Sequence, residues 1–98
     1  MLSNKIKKKY LKYYSDLNKL VKLDDKQIIN LDTLKKKIIE CKKRKKKVLI
    51  FGNGGSAAIA SHFAIDLNNV GKVRCLNFAD ASLITCLSND YGYENWVK

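Results

Sequence analysis

The chain has 98 residues, of which 46% are hydrophobic and 9% aromatic, and carries a formal net charge of +11. That length admits one modest core and excludes two independent domains, while the apolar fraction excludes a disordered polyelectrolyte. No apolar run approaches the roughly 20 residues of a bilayer-spanning helix, and no signal-like stretch follows the lysines of residues 1–12, so a cytoplasmic location is expected.

The charge is uneven: residues 1–47 hold seventeen Lys and Arg against five acids, and residues 48–98 hold three against four. The basic residues are almost all lysines scattered among Ile, Leu, Asn and Tyr, without an Arg-rich or base-stacking motif. They read as a solvated, compositionally biased face, and neither a nucleic-acid nor a membrane partner is expected. The three cysteines, Cys41, Cys75 and Cys86, lack paired spacing and read as reduced thiols serving as small buried hydrophobes.

In chain order, Ile6, Tyr10, Tyr13, Leu17 and Leu20 recur at a 4-3-4-3 spacing and predict a first helix with a narrow apolar stripe. Such a stripe packs against other helices, in this chain or in a partner subunit. Asp24 with Gln27 three residues on predicts the cap of a second helix carrying Ile28, Leu31, Leu34, Ile38 and Cys41 and ending within Lys42–Lys47, where lysines complement the negative helix end. Residues 1–46 are thus basic N-terminal helices suited to packing or oligomerisation, and residues 47–98 an α/β segment.

The run Val48-Leu49-Ile50-Phe51 predicts a strand buried on both faces of a parallel sheet. Ser56–Leu67 predicts a helix in which Ala57, Ala58, Ala60 and Ala64 approach the sheet and Ile59, Phe63 and Leu67 supply bulk. Gly71 frees the turn at 68–72, Lys72–Phe78 predicts a second strand, and Asp80 caps a helix over Ala81–Ser88 ahead of a polar loop at Asn89-Asp90. Two parallel strands expose edges and bury little, so the rest of the domain is expected beyond Lys98. Tyr91, Tyr93 and Trp96 read as aromatics awaiting those further elements.

Between the first strand and its helix lies Gly52-Asn53-Gly54-Gly55-Ser56. Glycines let backbone N–H groups converge, Ser56 adds a hydroxyl, and the helix presents its positive end, which together suit phosphate. The loop is neither a dinucleotide fingerprint nor a P-loop, and a tight turn without ligand remains the alternative.

The ordered segments Phe51–Ala58, Ser61-His62-Phe63-Ala64 and Ser88–Glu94 resemble the successive motifs of the sugar isomerase (SIS) proteins of phosphoheptose isomerase type, over residues 28–98 and more loosely over the first helix. The resemblance implies a flavodoxin-like three-layer parallel sheet preceded by N-terminal helices, here reaching only about two strands. It also implies a homotetramer formed through those helices, binding a sugar phosphate at subunit boundaries with contacts at Asn53, Gly54, Gly55, Ser56, Asn89 and Asp90. The implied reaction is aldose–ketose isomerisation of sedoheptulose 7-phosphate, supplying heptose for lipopolysaccharide and other surface polysaccharide, with zinc and a carboxylate base. His62 and Asp66, four apart on one helix face, fall where the family has a metal ligand and its base. The family pattern carries glutamate at position 66, and aspartate is shorter by roughly 1 to 1.5 Å. That departure keeps a second expectation open: a non-catalytic SIS module binding a sugar phosphate or a protein partner.

Overall fold

The computed structural model describes residues 1–98. In chain order it contains α1 (Asn4–Leu20), α2 (Asp25–Lys43), β1 (Val48–Ile50), α3 (Gly55–Asn69), β2 (Cys75–Asn77), α4 (Ala81–Tyr91) and a 3-10 turn at Tyr93–Asn95. Residues 1–33 and 34–98 form two compact units, α2 running from one into the other. No helix is long and apolar enough to cross a membrane.

In the first unit Ser3 caps α1 by accepting from the Ile6 N–H at 3.3 Å. The apolar stripe of α1 lies exposed in the single chain, and no residue of the helix is buried. The expected capping box opens α2: Gln27 N–H donates to Asp24 Oδ1 at 2.7 Å, and Asp24 N–H donates to Gln27 Oε1 at 2.9 Å.

In the second unit α2 closes on a Schellman turn. Lys45 N–H donates to the Lys42 carbonyl and Lys46 N–H to the Cys41 carbonyl, with Lys45 itself at φ 54°. The chain then enters β1, which pairs in parallel with β2 in the register Val48–Cys75, Leu49–Leu76 and Ile50–Asn77. Helix α3, the crossover between them, packs on one face of this pair through its two buried alanines, Ala60 and Ala64. With Val73, Cys75 and Trp96 these complete the buried core.

Several expectations about the elements need correction. β1 is covered on one face only: Leu49 and its register partner Leu76 point to the other face and are 53% and 43% exposed, because α3 is the one helix laid against the sheet. On α3 the bulky Ile59 and Phe63 face outward, Ala58 is exposed with them, and Ala60 and Ala64 make the contact, since only alanine-sized side chains let helix and strands approach closely. The left-handed position in the turn after α3 falls on Lys72 (φ 51°), whereas Gly71 is required by contact: a Cβ there would lie 2.9 Å from the Leu67 carbonyl oxygen. Helix α4 runs on through Asn89 and Asp90 to Tyr91, so these two residues occupy its last turn rather than a loop. Gly92 (φ 88°) ends it, its N–H donating to the Ser88 carbonyl at 2.9 Å. The cap of α4 is as expected, with Leu83 N–H donating to Asp80 Oδ1 at 3.1 Å.

Asn68, near the end of α3, does the work of a strand neighbour. Its amide nitrogen donates to the Cys75 carbonyl at 2.8 Å while its oxygen accepts from the Cys75 N–H at 3.2 Å. The same nitrogen also reaches the Ala64 carbonyl at 2.7 Å, tying β2 to the helix that precedes it.

Candidate functional site

The glycine loop leaves the end of β1 and turns sharply into α3. Gly52 permits the turn sterically: a Cβ there would sit 2.4 Å from the Ser56 carbonyl oxygen and 2.7 Å from the Ala57 nitrogen, inside the first turn of the helix. Gly54, the N-cap, has φ 55° and ψ −124°, a conformation that side chains disfavour. Gly55 has open space around its Cβ position.

The loop's donors divide into two sets. Ser56 N–H is spent on the Asn53 carbonyl at 3.0 Å, and the Ala57 and Ala58 N–H groups on the Gly54 carbonyl at 3.0 and 3.3 Å. The N–H groups of Asn53, Gly54 and Gly55 donate to no protein acceptor, and neither does the exposed Ser56 hydroxyl. Three free amides and a hydroxyl thus stand at the positive end of a 15-residue helix.

Two supports hold this turn in place. Phe51 stacks on Phe78, ring centroids 5.4 Å apart, and meets Trp96 edge-on at 6.0 Å. Trp96 is therefore a core residue of this chain at 6% exposure, where the sequence suggested an aromatic awaiting other elements; Tyr91 and Tyr93 remain exposed. Below the loop, Asn77 donates to the Ile50 carbonyl at 3.1 Å and accepts from the Ser61 hydroxyl at 2.9 Å, linking the ends of both strands to α3. The reading of the sequence missed Asn77 and Asn68; their signal is a polar amide inside or beside an otherwise apolar strand.

The other expected residues lie in separate groups. His62 Nδ1 and Asp66 Oδ2 are 3.2 Å apart across one turn of α3, with side chains 77% and 56% exposed. Asn89 donates to Asp90 at 3.4 Å, and the Cys86 thiol lies 3.7 Å from Asp90 Oδ2. No hydrogen bond or ion pair joins the glycine loop, the His62–Asp66 pair and the Asn89–Asp90 pair to one another. The pair on α3 offers two donors where zinc takes three or four protein ligands, and the chain contains no cluster of three ligating side chains. The residues present do not by themselves make a zinc site.

Among the cysteines, Cys75 is buried as expected, and burial pushes its thiol up from the ordinary range. Contrary to expectation, Cys41 is half-buried and Cys86 is exposed on α4, a helix with no buried residue.

A parallel strand pair joined through a glycine-bent loop and a crossover helix makes a β-α-β unit. This chain belongs to the SIS domain family, whose model matches residues 9–95. Among curated proteins it is similar to the phosphoheptose isomerase of Helicobacter pylori (strain ATCC 700392 / 26695), 37% identical over 103 residues that cover 96% of this chain and 50% of the relative. It is also similar to that of Vibrio vulnificus (strain CMCP6), 39% identical over 83 residues covering 80% and 43%. A third relative, from Campylobacter jejuni subsp. jejuni serotype O:6, is 43% identical over 63 residues covering 58% and 34%. The chain spans about half the length of the curated relatives that match it most fully. No solved structure gives a significant match.

Proposed function

We propose that the chain binds the phosphate of a sugar phosphate in the loop Asn53-Gly54-Gly55-Ser56. In this reading it supplies the N-terminal part of a phosphoheptose-isomerase-like aldose–ketose isomerase of flavodoxin-like three-layer fold. The observation that carries the reading is the set of unspent donors, the Asn53, Gly54 and Gly55 amides and the Ser56 hydroxyl, at the head of α3. An oxyanion seated there gains charge-assisted hydrogen bonds without displacing any protein contact.

Ser56→Ala is expected to weaken binding of sedoheptulose 7-phosphate to the chain by roughly 1 to 3 kcal/mol, the cost of one charge-assisted hydrogen bond. Calorimetric titration of both variants measures it, with unphosphorylated sedoheptulose as the control that should not bind. Equal affinities of the two variants would place the phosphate elsewhere.

Asn89 and Asp90, exposed on the last turn of α4, are proposed as further sugar contacts, and Asp66 as the general base, with His62 holding its carboxylate in place. Zinc would have to draw on donors additional to His62 and Asp66, and no step here is routed through it. The exposed stripe of α1 suits assembly through the N-terminal helices into the tetramer that the family resemblance implies. A cytoplasmic role in supplying heptose for surface polysaccharide completes the reading.

One observation favours the second reading, a non-catalytic module that binds a sugar phosphate or a protein partner. The carboxylate at position 66 is an aspartate, one methylene short of the glutamate in the family pattern, and it sits exposed against His62. Binding of sedoheptulose 7-phosphate with no turnover, unchanged by Asp66→Glu, would select this reading.

A further inference from the structure

At the other end of the strands from the glycine loop, five cationic side chains converge on one depression. Lys42, Lys45 and Lys46 come from the end of α2, and Lys72 and Arg74 from the turn between α3 and β2. Together they line a hollow of about 240 Å³ to which no acidic or aromatic residue contributes. We infer that this hollow is a second anion site, built for a compact ligand that carries two or more linked phosphates.

The dipole of α2 favours lysines near its end, but side-chain capping of helix carbonyls does not account for the cluster. The Cys41 and Lys42 carbonyls at the end of α2 are already taken by the Lys46 and Lys45 N–H groups, and the Asp66 and Leu67 carbonyls at the end of α3 by the Gly71 and Val73 N–H groups. Of the five side chains only Lys42 is engaged, its Nζ donating to the Gly71 carbonyl at 2.9 Å. The nearby Arg44 is turned away onto Glu40 at 3.2 Å, so it adds nothing to the hollow and Glu40 neutralises nothing in it.

Lysine-rich composition accounts for the three lysines at the end of α2 but not for Lys72 and Arg74, which are two of just three cations in residues 48–98. Two of the lysines, Lys45 and Lys72, also hold left-handed backbone positions (φ 54° and 51°) that glycine would fill with less strain. Charge thus stands at these two positions at a cost in backbone conformation.

The unpaired cations, Lys45, Lys46, Lys72 and Arg74, repel one another until an anion enters. One phosphate brings about two negative charges, so balancing four cations takes two or three linked phosphates. The hollow is too small for a nucleic-acid groove contact and has no aromatic ring on which a base could stack.

The test is calorimetric titration of the 98-residue chain with inorganic tripolyphosphate at low ionic strength. Binding is expected, and the double variant Lys45→Gly/Lys72→Gly should lower affinity at least about tenfold while raising the melting temperature. Arg74→Gln, which leaves the turns untouched, should also weaken binding. The charge-matched control Lys8→Gln/Lys9→Gln on α1 should leave affinity within about twofold. The inference is overturned if tripolyphosphate does not bind, if the control loses as much affinity as the double variant, or if Ser56→Ala does so, which would place the anion in the glycine loop. Tighter binding of a single-stranded oligonucleotide than of tripolyphosphate would overturn it as well.

Discussion

Gly52→Ala is expected to destabilise the second unit by at least about 3 kcal/mol, more than any other single-methyl addition in the glycine loop. The added Cβ would fall 2.4 Å from the Ser56 carbonyl oxygen, 2.5 Å from its carbon and 2.7 Å from the Ala57 nitrogen. All three are backbone atoms of the first turn of α3, so relief requires moving the helix away from β1 or unwinding its start. Gly55→Ala, three positions on, has open space and should be neutral or stabilising by about 0.4 to 1 kcal/mol through the unfolded state. Urea denaturation followed by circular dichroism measures both. A Gly52→Ala midpoint equal to that of Gly55→Ala would show that the loop does not make the turn described.

Trp96→Ala should cost about 3 to 5 kcal/mol, the usual range for truncating a buried aromatic. Typical domains are stable by only about 5 to 15 kcal/mol, and a core of five buried residues lies toward the low end, so the variant is expected to lose cooperative unfolding. Trp96→Phe keeps the edge contact with Phe51 in reduced form and should fall between the two. Because Trp96 is the single tryptophan, its emission in the parent protein should be blue-shifted and should move to the red in Gly52→Ala, whose displaced Phe51 leaves it exposed. Unchanged emission in a destabilised Gly52→Ala would argue against the Phe51–Trp96 coupling.

Much of this architecture is legible in the sequence where one local rule dominates. The Asp24–Gln27 capping box, the Asp80 cap and the strand run before Gly52 each follow from short-range chemistry, and each is found. The order of the family motifs carried the family assignment, since three spaced segments are far more specific than a glycine loop alone. What escaped the sequence depends on which neighbours are present. Leu49 reads as part of a doubly buried strand, yet burial needs a second covering layer that this chain places neither on it nor on its register partner Leu76. Ile59 and Phe63 read as packing bulk, although the helix face is chosen by how closely backbones can approach, and Ala60 and Ala64 win. Asn68 and Asn77 could not be read as structural because each bonds to the backbone of a strand, Asn68 to β2 and Asn77 to β1, that comes alongside it only on folding. For the candidate site, the glycine loop was readable from its residues, and the Lys72–Arg74 contribution to the basic hollow was not, since it joins residues about thirty apart.

The amide of Asn68 has a bearing on how the small sheet behaves toward other strands. A free parallel edge is a template for any extended segment, and a pair of strands has two of them. On the β2 side the Cys75 N–H and carbonyl are both occupied by one asparagine, so an incoming strand would have to strip away two hydrogen bonds before making its own. On the β1 side nothing comparable stands guard: Val48 N–H is directed at Arg74, which sends the N–H and carbonyl of Leu49 the opposite way. Strand addition is therefore polarised, permitted beside Leu49 and obstructed beside Cys75. Uncontrolled ribbon growth, which needs both edges of every unit, is blocked at one of them by a single side chain.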